Sequence, residues 1–135
     1  MIRELRIIVA GSRDFKDYQL LRDTLMYYLT DMDDADDADV VDDPSQVKFI
    51  SGTSKGADVL GEQFAYTYEY DVIRFPPDWD TYGKSAGYRR NAEMAKYASE
   101  AYGVLFAFWD GKSKGTKHMI DLAKRYGLEV HVVKF

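Results

Sequence analysis

The residues with the clearest chemical use lie in four short segments rich in glycine, hydroxyl and basic side chains. Glycine lets a ligand approach the backbone closely, and the amino end of a following helix exposes N–H groups that favour anions. One glycine turn between a strand and a helix is ordinary. Four such turns on one edge of a β-sheet favour a binding crevice. Neither the G-x-G-x-x-G dinucleotide fingerprint nor the P-loop pattern occurs. Seven of the ten glycines belong to these segments: Gly11, Gly52, Gly56, Gly83, Gly87, Gly111 and Gly115.

The first two segments offer groups that suit phosphate or sugar oxygens. Ser12 can present a hydroxyl and a backbone N–H, and Arg13 a planar guanidinium, unless Arg13 pairs with a neighbouring aspartate. The second segment, residues 51–58, combines hydroxyls and glycine directly before an amphipathic helix. Asp58 lies in the first turn of that helix, where the helix dipole stabilises a carboxylate. A ribose-binding role and a purely structural role are equally open for Asp58.

The third segment, residues 75–91, contains two prolines and then an aromatic and charged stretch before the next helix. Trp79 and Tyr82 could stack on a base, or they could cover the core. Asn91 falls on the inward stripe of its helix, where an unpaired amide would be costly. It therefore either bonds the backbone of a neighbouring loop or meets the ligand, and both alternatives put it at the wall of the crevice.

The fourth segment, residues 109–116, has a Gly-x-x-x-Gly-Thr spacing that lets backbone N–H groups converge on an anion, although its lysines could simply be solvated. His118 and His131 have no second histidine or cysteine at ligand spacing, so no metal site is predicted. No catalytic residue is assigned. The predicted ligand-binding residues are Gly11, Ser12, Arg13, Ser51, Gly52, Thr53, Gly56, Asp58, Trp79, Lys84, Arg90, Asn91, Asp110, Gly111, Ser113, Gly115 and Thr116.

Apolar runs of strand length alternate with helical patterns along the chain. Strands that alternate with helices predict βαβ units, and right-handed crossovers place the carboxyl end of every strand along one edge. The expected fold is therefore a three-layer, Rossmann-like α/β architecture with a central, mainly parallel five-stranded sheet and helices on both faces. The predicted strands are Leu5–Ala10, Val47–Ser51, Asp71–Phe75, Gly103–Trp109 and Glu129–Val133.

The composition is typical of a packed globular chain, and its 135 residues predict one domain, residues 1–135. No stretch approaches the ~20 consecutive apolar residues of a membrane span, and the first residues do not resemble a secretory signal. The absence of cysteine excludes disulfides and thiolate metal sites. These features predict a cytoplasmic protein with no membrane partner.

The net charge of −5 conceals an acidic insert, because residues 31–45 hold eight aspartates and no lysine or arginine. Removing those eight negative charges leaves +3 for the rest of the chain. The insert does not follow the spacing of a calcium-binding EF-hand, so a solvated, flexible loop is expected at about residues 31–46. The mildly basic remainder suits an anionic small molecule. A nucleic-acid partner is disfavoured, because duplex binding usually needs a larger basic patch.

Four motifs follow one another at compatible spacing. They are G-S-R-D-F at 11–15, S-G-x-x-x-G-A-D at 51–58, D-W-x-x-Y-G-K-x-A-G-x-R-R-N at 78–91, and D-G-x-S-x-G-T at 110–116. Together they resemble the YspA-type, YpsA-related branch of the SLOG superfamily over nearly the whole chain. Pro77 is a minor departure, since the family pattern commonly has alanine there. The resemblance implies a Rossmann-like fold that senses or processes nucleotide derivatives in bacteria or phages, with ADP-ribose-like and NAD-derived molecules as the expected ligands.

Relatives of this branch include the cytokinin-activating, LOG-type phosphoribohydrolases, whose pattern pairs an arginine with the glutamate of P-G-G-x-G-T-x-x-E. Arg90 matches the arginine and Gly115-Thr116 match the Gly-Thr, but the glutamate position falls on Met119. A thioether can neither transfer a proton nor stabilise an oxocarbenium ion, so hydrolysis by that mechanism is disfavoured. Four aspartates could supply a carboxylate in another geometry: Asp58, Asp78, Asp80 and Asp110.

The leading hypothesis is a module that binds or senses a nucleotide-derived small molecule in the crevice and requires no cofactor. The ligand would be ADP-ribose-like, NAD-derived or a nucleoside phosphate. The first alternative is a nucleotide-processing N-glycosidic or phosphoribosyl hydrolase, and the second is a single-stranded nucleic-acid-binding module. Whether the chain is an enzyme stays open on the sequence, and a homodimer is compatible with the resemblance because relatives often dimerise.

Overall fold

Strands and helices alternate along residues 4–33 and 46–135, which are the residues that the computed structural model describes. A single turn of 3-10 helix, Gly83–Ser85, joins the short third helix to the fourth. Within the described ranges, no helix combines the length and apolar character that crossing a membrane would need. In chain order the elements are β1 (Leu5–Gly11), α1 (Tyr18–Asp33), β2 (Val47–Ser51), α2 (Ala57–Thr67), β3 (Asp71–Arg74), α3 (Trp79–Tyr82), α4 (Ala86–Ser99), β4 (Tyr102–Trp109), α5 (Lys114–Arg125) and β5 (Glu129–Lys134).

The five strands form one parallel sheet in the order β3-β2-β1-β4-β5. Strand β1 is central and pairs along its whole length with β4, from Leu5 opposite Tyr102 to Gly11 opposite Phe108. The strand order reverses here, because β2 and β3 lie on one side of β1 while β4 and β5 lie on the other. In open α/β sheets, ligands bind outside the carboxyl ends of the strands at this switch point.

Alternate residues of the central strands enter two separate cores. Ile7 and Val9 of β1 pack into the core that α1 and α2 complete, whereas Ile8 and Ala10 pack into the core that α4 and α5 complete. The three-layer, Rossmann-like fold with a parallel five-stranded sheet is therefore confirmed. The observed strand ends differ from the predicted ones by at most one residue, because the buried runs end where glycine, proline or charged residues begin.

Helix α1 begins after Asp17, whose Oδ1 accepts a hydrogen bond of 3.0 Å from the Leu20 N–H, as a helix-capping side chain does. The helix continues to Asp33, so the first three residues of the predicted acidic insert are helical. The rest of that insert, residues 34–45, lies outside the described residues. The expectation of a flexible loop there stays a prediction.

Gly61 marks the closest approach of α2 to β1, since a Cβ at this position would lie 2.7 Å from the Val9 Cβ. We expect Gly61→Ala to lower the free energy of unfolding by about 1–3 kcal/mol in urea titrations, because the helix must move off the sheet. Gly115→Ala is the control, because a Cβ on this helical glycine would meet nothing within 4 Å. Its stability should stay level or rise by up to about 1 kcal/mol. Equal losses in both variants would contradict the packing explanation.

Candidate functional site

A cavity of about 260 Å³ lies at the carboxyl edge of the sheet, beside the ends of β1 and β4. Its floor is apolar and its walls carry cationic, hydroxyl and aromatic side chains. All four glycine-rich segments contribute to it, which brings residues more than 100 positions apart in the chain around one hollow. The lining residues are Ala10, Gly11, Arg13, Ser54, Asp58, Trp79, Lys84, Gly87, Tyr88, Arg90, Asn91, Met94, Ser113, Gly115, Thr116 and Met119.

The predicted ligand-binding residues fall into two groups. Ten of them line the cavity: Gly11, Arg13, Asp58, Trp79, Lys84, Arg90, Asn91, Ser113, Gly115 and Thr116. The other seven do not line it: Ser12, Ser51, Gly52, Thr53, Gly56, Asp110 and Gly111. The residues of the second group all lie in the first, second and fourth segments.

Ser12 joins the first bend to the fourth. Its N–H donates to the Phe108 carbonyl at 3.0 Å, and its Oγ accepts from the Asp110 N–H at 3.2 Å. Gly56 of the second bend packs on the same backbone, because a Cβ at Gly56 would collide with the Ser12 carbonyl oxygen. Ser12 is buried. Its amide and hydroxyl hold the bends together, whereas the sequence predicted a contact between Ser12 and the ligand.

Ser51 and Thr53 shape the second bend. The Ser51 hydroxyl donates to Glu62 Oε2 at 2.6 Å and accepts from the Thr53 N–H at 3.0 Å. Thr53 has a φ of 67°, a left-handed conformation that is uncommon outside glycine. The Ser51 hydroxyl is therefore directed into the protein and supports the loop from beneath.

Asp110 folds the fourth bend back on itself. Its Oδ1 accepts from the N–H groups of Lys112 and Ser113, both at 2.8 Å. These two bonds are the main reason that the pKa of the Asp110 carboxyl lies below its ordinary value. Gly111 has a φ of 83°, which the reversal requires. Two N–H groups of this bend thus donate to the Asp110 carboxylate. The sequence predicted instead that the N–H groups of this bend converge on an anion.

A chain of hydrogen bonds crosses the crevice from the second bend to the fourth. Arg90 donates through Nη1 to the Gly52 carbonyl and through Nε to Asn91 Oδ1, the latter at 3.0 Å. The Asn91 amide donates to the Gly115 carbonyl at 3.3 Å and lies 3.2 Å from His118 Nδ1. Asn91 therefore bonds the neighbouring backbone and lines the cavity; its contact with a ligand stays a prediction.

Asp58 is the acidic side chain of the cavity and is only 5% exposed. Its Oδ2 accepts a hydrogen bond of 3.2 Å from the Ser54 N–H. Burial raises the pKa of Asp58 to about 7, against the opposing effects of the Ser54 N–H and of the Arg90 and Arg13 charges. Burial likewise lowers the pKa of Arg90 below its ordinary value, yet a guanidinium stays protonated in proteins. The site therefore holds a carboxyl group that titrates near neutral pH.

Positive charge is concentrated on the other walls of the cavity. Arg13 and Lys84 are exposed side chains that line it from opposite segments. Helix α5 points its amino end at the same hollow, with Ser113 as its capping residue and no acidic side chain in its first turn. The hydroxyl oxygens of Ser113 and Thr116 lie 3.0 Å apart. An anion here would meet two flexible cations and the positive end of a helix dipole.

Two aromatic side chains stand at the rim of the cavity. Trp79 is half exposed and lines the cavity; its stacking on a base stays a prediction. Tyr82 does not line the cavity; its ring lies beneath the Arg89 guanidinium, 4.3 Å from ring centroid to Cζ. Tyr88 lines it instead, with its ring edge against His118. Tyr88 precedes Asn91 by three positions on α4, and that helical spacing is the signal that could have identified it.

Ser54 is a polar lining residue that lay inside a predicted segment but outside the predicted set. Its signal is the pattern G-x-S-x-G at residues 52–56, which recurs at residues 111–115 around Ser113, another lining residue. In α/β-hydrolases this pattern carries a nucleophilic serine with a histidine base. Among the hydrogen bonds of the described residues, neither serine hydroxyl is partnered by a histidine. The pattern therefore marks two bends and not a catalytic triad.

Similarity to known proteins identifies the family of the chain. The model of the YspA, cpYpsA-related SLOG family matches residues 5–82, more than half of the chain. The chain belongs to this SLOG family. The Gene 61 protein of Mycobacterium phage D29 is 29% identical over 130 residues, which cover 93% of this chain and 93% of that protein. No solved structure matches the chain.

The cavity of this SLOG protein has a methionine where the LOG-type pattern has glutamate. Met119 is buried and lines the cavity beside Met94. Thioethers make this floor apolar and offer no acid or base. The family match includes the first two bends and Trp79 but ends before Arg90 and Asn91. The departure at Met119 therefore lies in the part of the site that the family match does not reach.

The raised pKa of Asp58, about 7 against an ordinary value of 3.8, makes stability depend on pH. The folded state disfavours the ionised carboxyl, so stability is lost as pH rises from about 4 to about 7. We expect Asp58→Asn to stabilise the ligand-free protein by about 2–4 kcal/mol at pH 8 and to have little effect near pH 4. Urea unfolding at both pH values measures this. Asp80→Asn, which neutralises an exposed acid on α3, should show no such crossover, and a pH-independent effect of Asp58→Asn would refute the assignment.

Proposed function

We propose that the crevice binds a nucleotide-derived anion and that the protein is a nucleotide-binding or nucleotide-sensing module. The observation that carries this proposal is the convergence of four separate bends on one cavity that contains Arg13, Lys84, Arg90 and the amino end of α5. Anions favour such a site, since cationic side chains and a helix amino end act on the same volume. Membership of the SLOG family is compatible with a nucleotide-related ligand.

The walls of the cavity suit different parts of a nucleotide. A phosphate fits against the amino end of α5, within reach of Arg13 and Lys84, because these groups line one volume. A base fits at the rim, where Trp79 and Tyr88 offer exposed aromatic faces. The volume of about 260 Å³ is near the lower end of small-molecule pockets, roughly 300–1,000 Å³. It therefore accommodates about one nucleotide unit, and a longer ligand would extend over the rim.

Calorimetric titration with AMP, ADP-ribose and NAD tests the proposal. The side chain of Arg13 is exposed at the cavity, so we expect Arg13→Gln to weaken binding by about 10–100-fold, as loss of a charged hydrogen bond does. Thermal stability should change little. Lys55→Gln is the matched control, because Lys55 is exposed on the second bend without lining the cavity. Absence of binding by all three compounds at millimolar concentration would reject the proposal.

Nucleotide hydrolysis is the second candidate function, and the position of Asp58 favours it. Of the four aspartates that could replace the missing glutamate, Asp58 lines the cavity, whereas Asp78 caps α3 through the Thr81 N–H at 3.1 Å and Asp110 folds the fourth bend. A carboxyl group with a pKa of about 7 is suited to proton transfer at neutral pH. Arg90 lines the same cavity, and its charge acts on Asp58.

Release of adenine from AMP, followed by chromatography, tests this second candidate. We expect Asp58→Asn to reduce any release at least about 100-fold, the usual contribution of a general acid or base. Asp78→Asn should preserve release, since its amide oxygen still caps α3. Release that survives Asp58→Asn would remove Asp58 from the chemistry, and no release by the wild-type protein would leave binding as the function.

A further inference from the structure

Asp58 places a carboxyl group inside a cavity whose other charged side chains are cationic. It is 5% exposed, and it lines the cavity. One of its oxygens, Oδ2, accepts the Ser54 N–H. In the part of the chain that the structure describes, no ion pair within 4.0 Å includes Asp58. Its other oxygen, Oδ1, takes part in no hydrogen bond among the described residues, so it keeps its capacity to bond a ligand.

Three charged groups act on Asp58 from the elements packed around it. Arg90 on α4 and Arg13 in the first bend favour the ionised carboxylate, whereas Glu62, one turn further along α2, disfavours it. Burial disfavours it more strongly than any of these. In the protein alone these effects leave the two protonation states of Asp58 close in free energy near neutral pH.

An anion that enters the cavity changes this balance. It adds a like charge close to Asp58, and it engages the arginine charges that favour the carboxylate. A carboxylate and a phosphate oxygen are both acceptors and cannot bond each other, whereas a protonated carboxyl donates to a phosphate oxygen. A second negative charge close to the buried carboxylate would disfavour its ionised form, so the neutral carboxyl is favoured once the anion is bound.

We propose that Asp58 takes up one proton from solvent when an anion binds and then donates a hydrogen bond to an anionic oxygen of the ligand. This inference rests on the proposed function, since it requires an anion in this cavity. It makes Asp58 a specificity-determining residue that favours an anionic oxygen over a neutral hydroxyl at its position. In the opposite arrangement, an ionised Asp58 accepts a hydrogen bond from a ribose hydroxyl. Binding then takes up no proton.

Calorimetry in buffers of different ionisation enthalpy counts the protons taken up on binding. ADP-ribose is the first probe, because each phosphate of its pyrophosphate keeps one charge across neutral pH. AMP is the second, used above about pH 7.5, where its phosphate is already doubly ionised. For the wild-type protein we expect close to one proton per ligand at about pH 8 and almost none near pH 5.5. The dissociation constant should rise by up to about tenfold per pH unit above pH 7.

Asp58→Asn should bind ADP-ribose at pH 8 with the affinity that the wild-type protein shows near pH 6, because the asparagine amide donates in place of the protonated carboxyl. It should take up no proton, and its affinity should change less than about twofold with pH. Asp80→Asn is the matched control: it neutralises an exposed acid that does not line the cavity, and it should retain proton uptake.

The outcomes separate the two proposals. Binding without proton uptake, or with proton release, overturns the role of Asp58 and leaves the proposed function in place. Proton uptake that persists in Asp58→Asn also overturns that role, because another group must then bind the proton. No binding of AMP, ADP-ribose or NAD at any pH overturns both proposals.

Discussion

The candidate site depends on the hydrogen bonds that link Gly52, Arg90, Asn91 and Gly115 across the carboxyl edge of the sheet. Parallel strands bring the four bends to one edge, but they do not by themselves set the distances between them. Arg90 reaches the second bend and Asn91 the fourth, so consecutive residues of α4 hold both sides of the crevice. Because an unpaired buried amide or guanidinium is costly, this arrangement gives the cavity one preferred shape before any ligand enters.

Within that cavity, the placement of the charged side chains lowers the stability of the folded protein. Arg90 is partly buried, and Asp58 is almost wholly so, yet no ion pair within 4.0 Å joins Asp58 to another described residue. A close salt bridge would neutralise both groups and would leave less for a ligand to gain. Keeping them apart leaves the arginine available to an anion and leaves the carboxyl able to change its protonation. Perturbed pKa values of this kind are common at functional sites.

The sequence predicted the scaffold well and the roles of individual side chains less well. Buried strands that are nearly continuous apolar runs, such as Leu5–Gly11, end at glycine or charged residues, so their bounds can be read to within one residue. The bends could be located for the same reason. Ser12 and Ser54 are both hydroxyl residues in such bends, yet Ser54 lines the cavity and Ser12 joins two bends. Local composition does not distinguish an inward from an outward side chain when the backbone is irregular.

The sequence by itself determined the parallel α/β fold and the common edge on which four glycine-rich bends meet, because periodicity and right-handed crossovers depend on local patterns. Only the tertiary structure decided that Tyr88 lines the rim in place of Tyr82, that Asp110 occupies the amides of its own bend, and that Asp58 faces the cavity nearly free of solvent. These outcomes arise from contacts between segments far apart in the chain, and desolvation has no signature in local sequence.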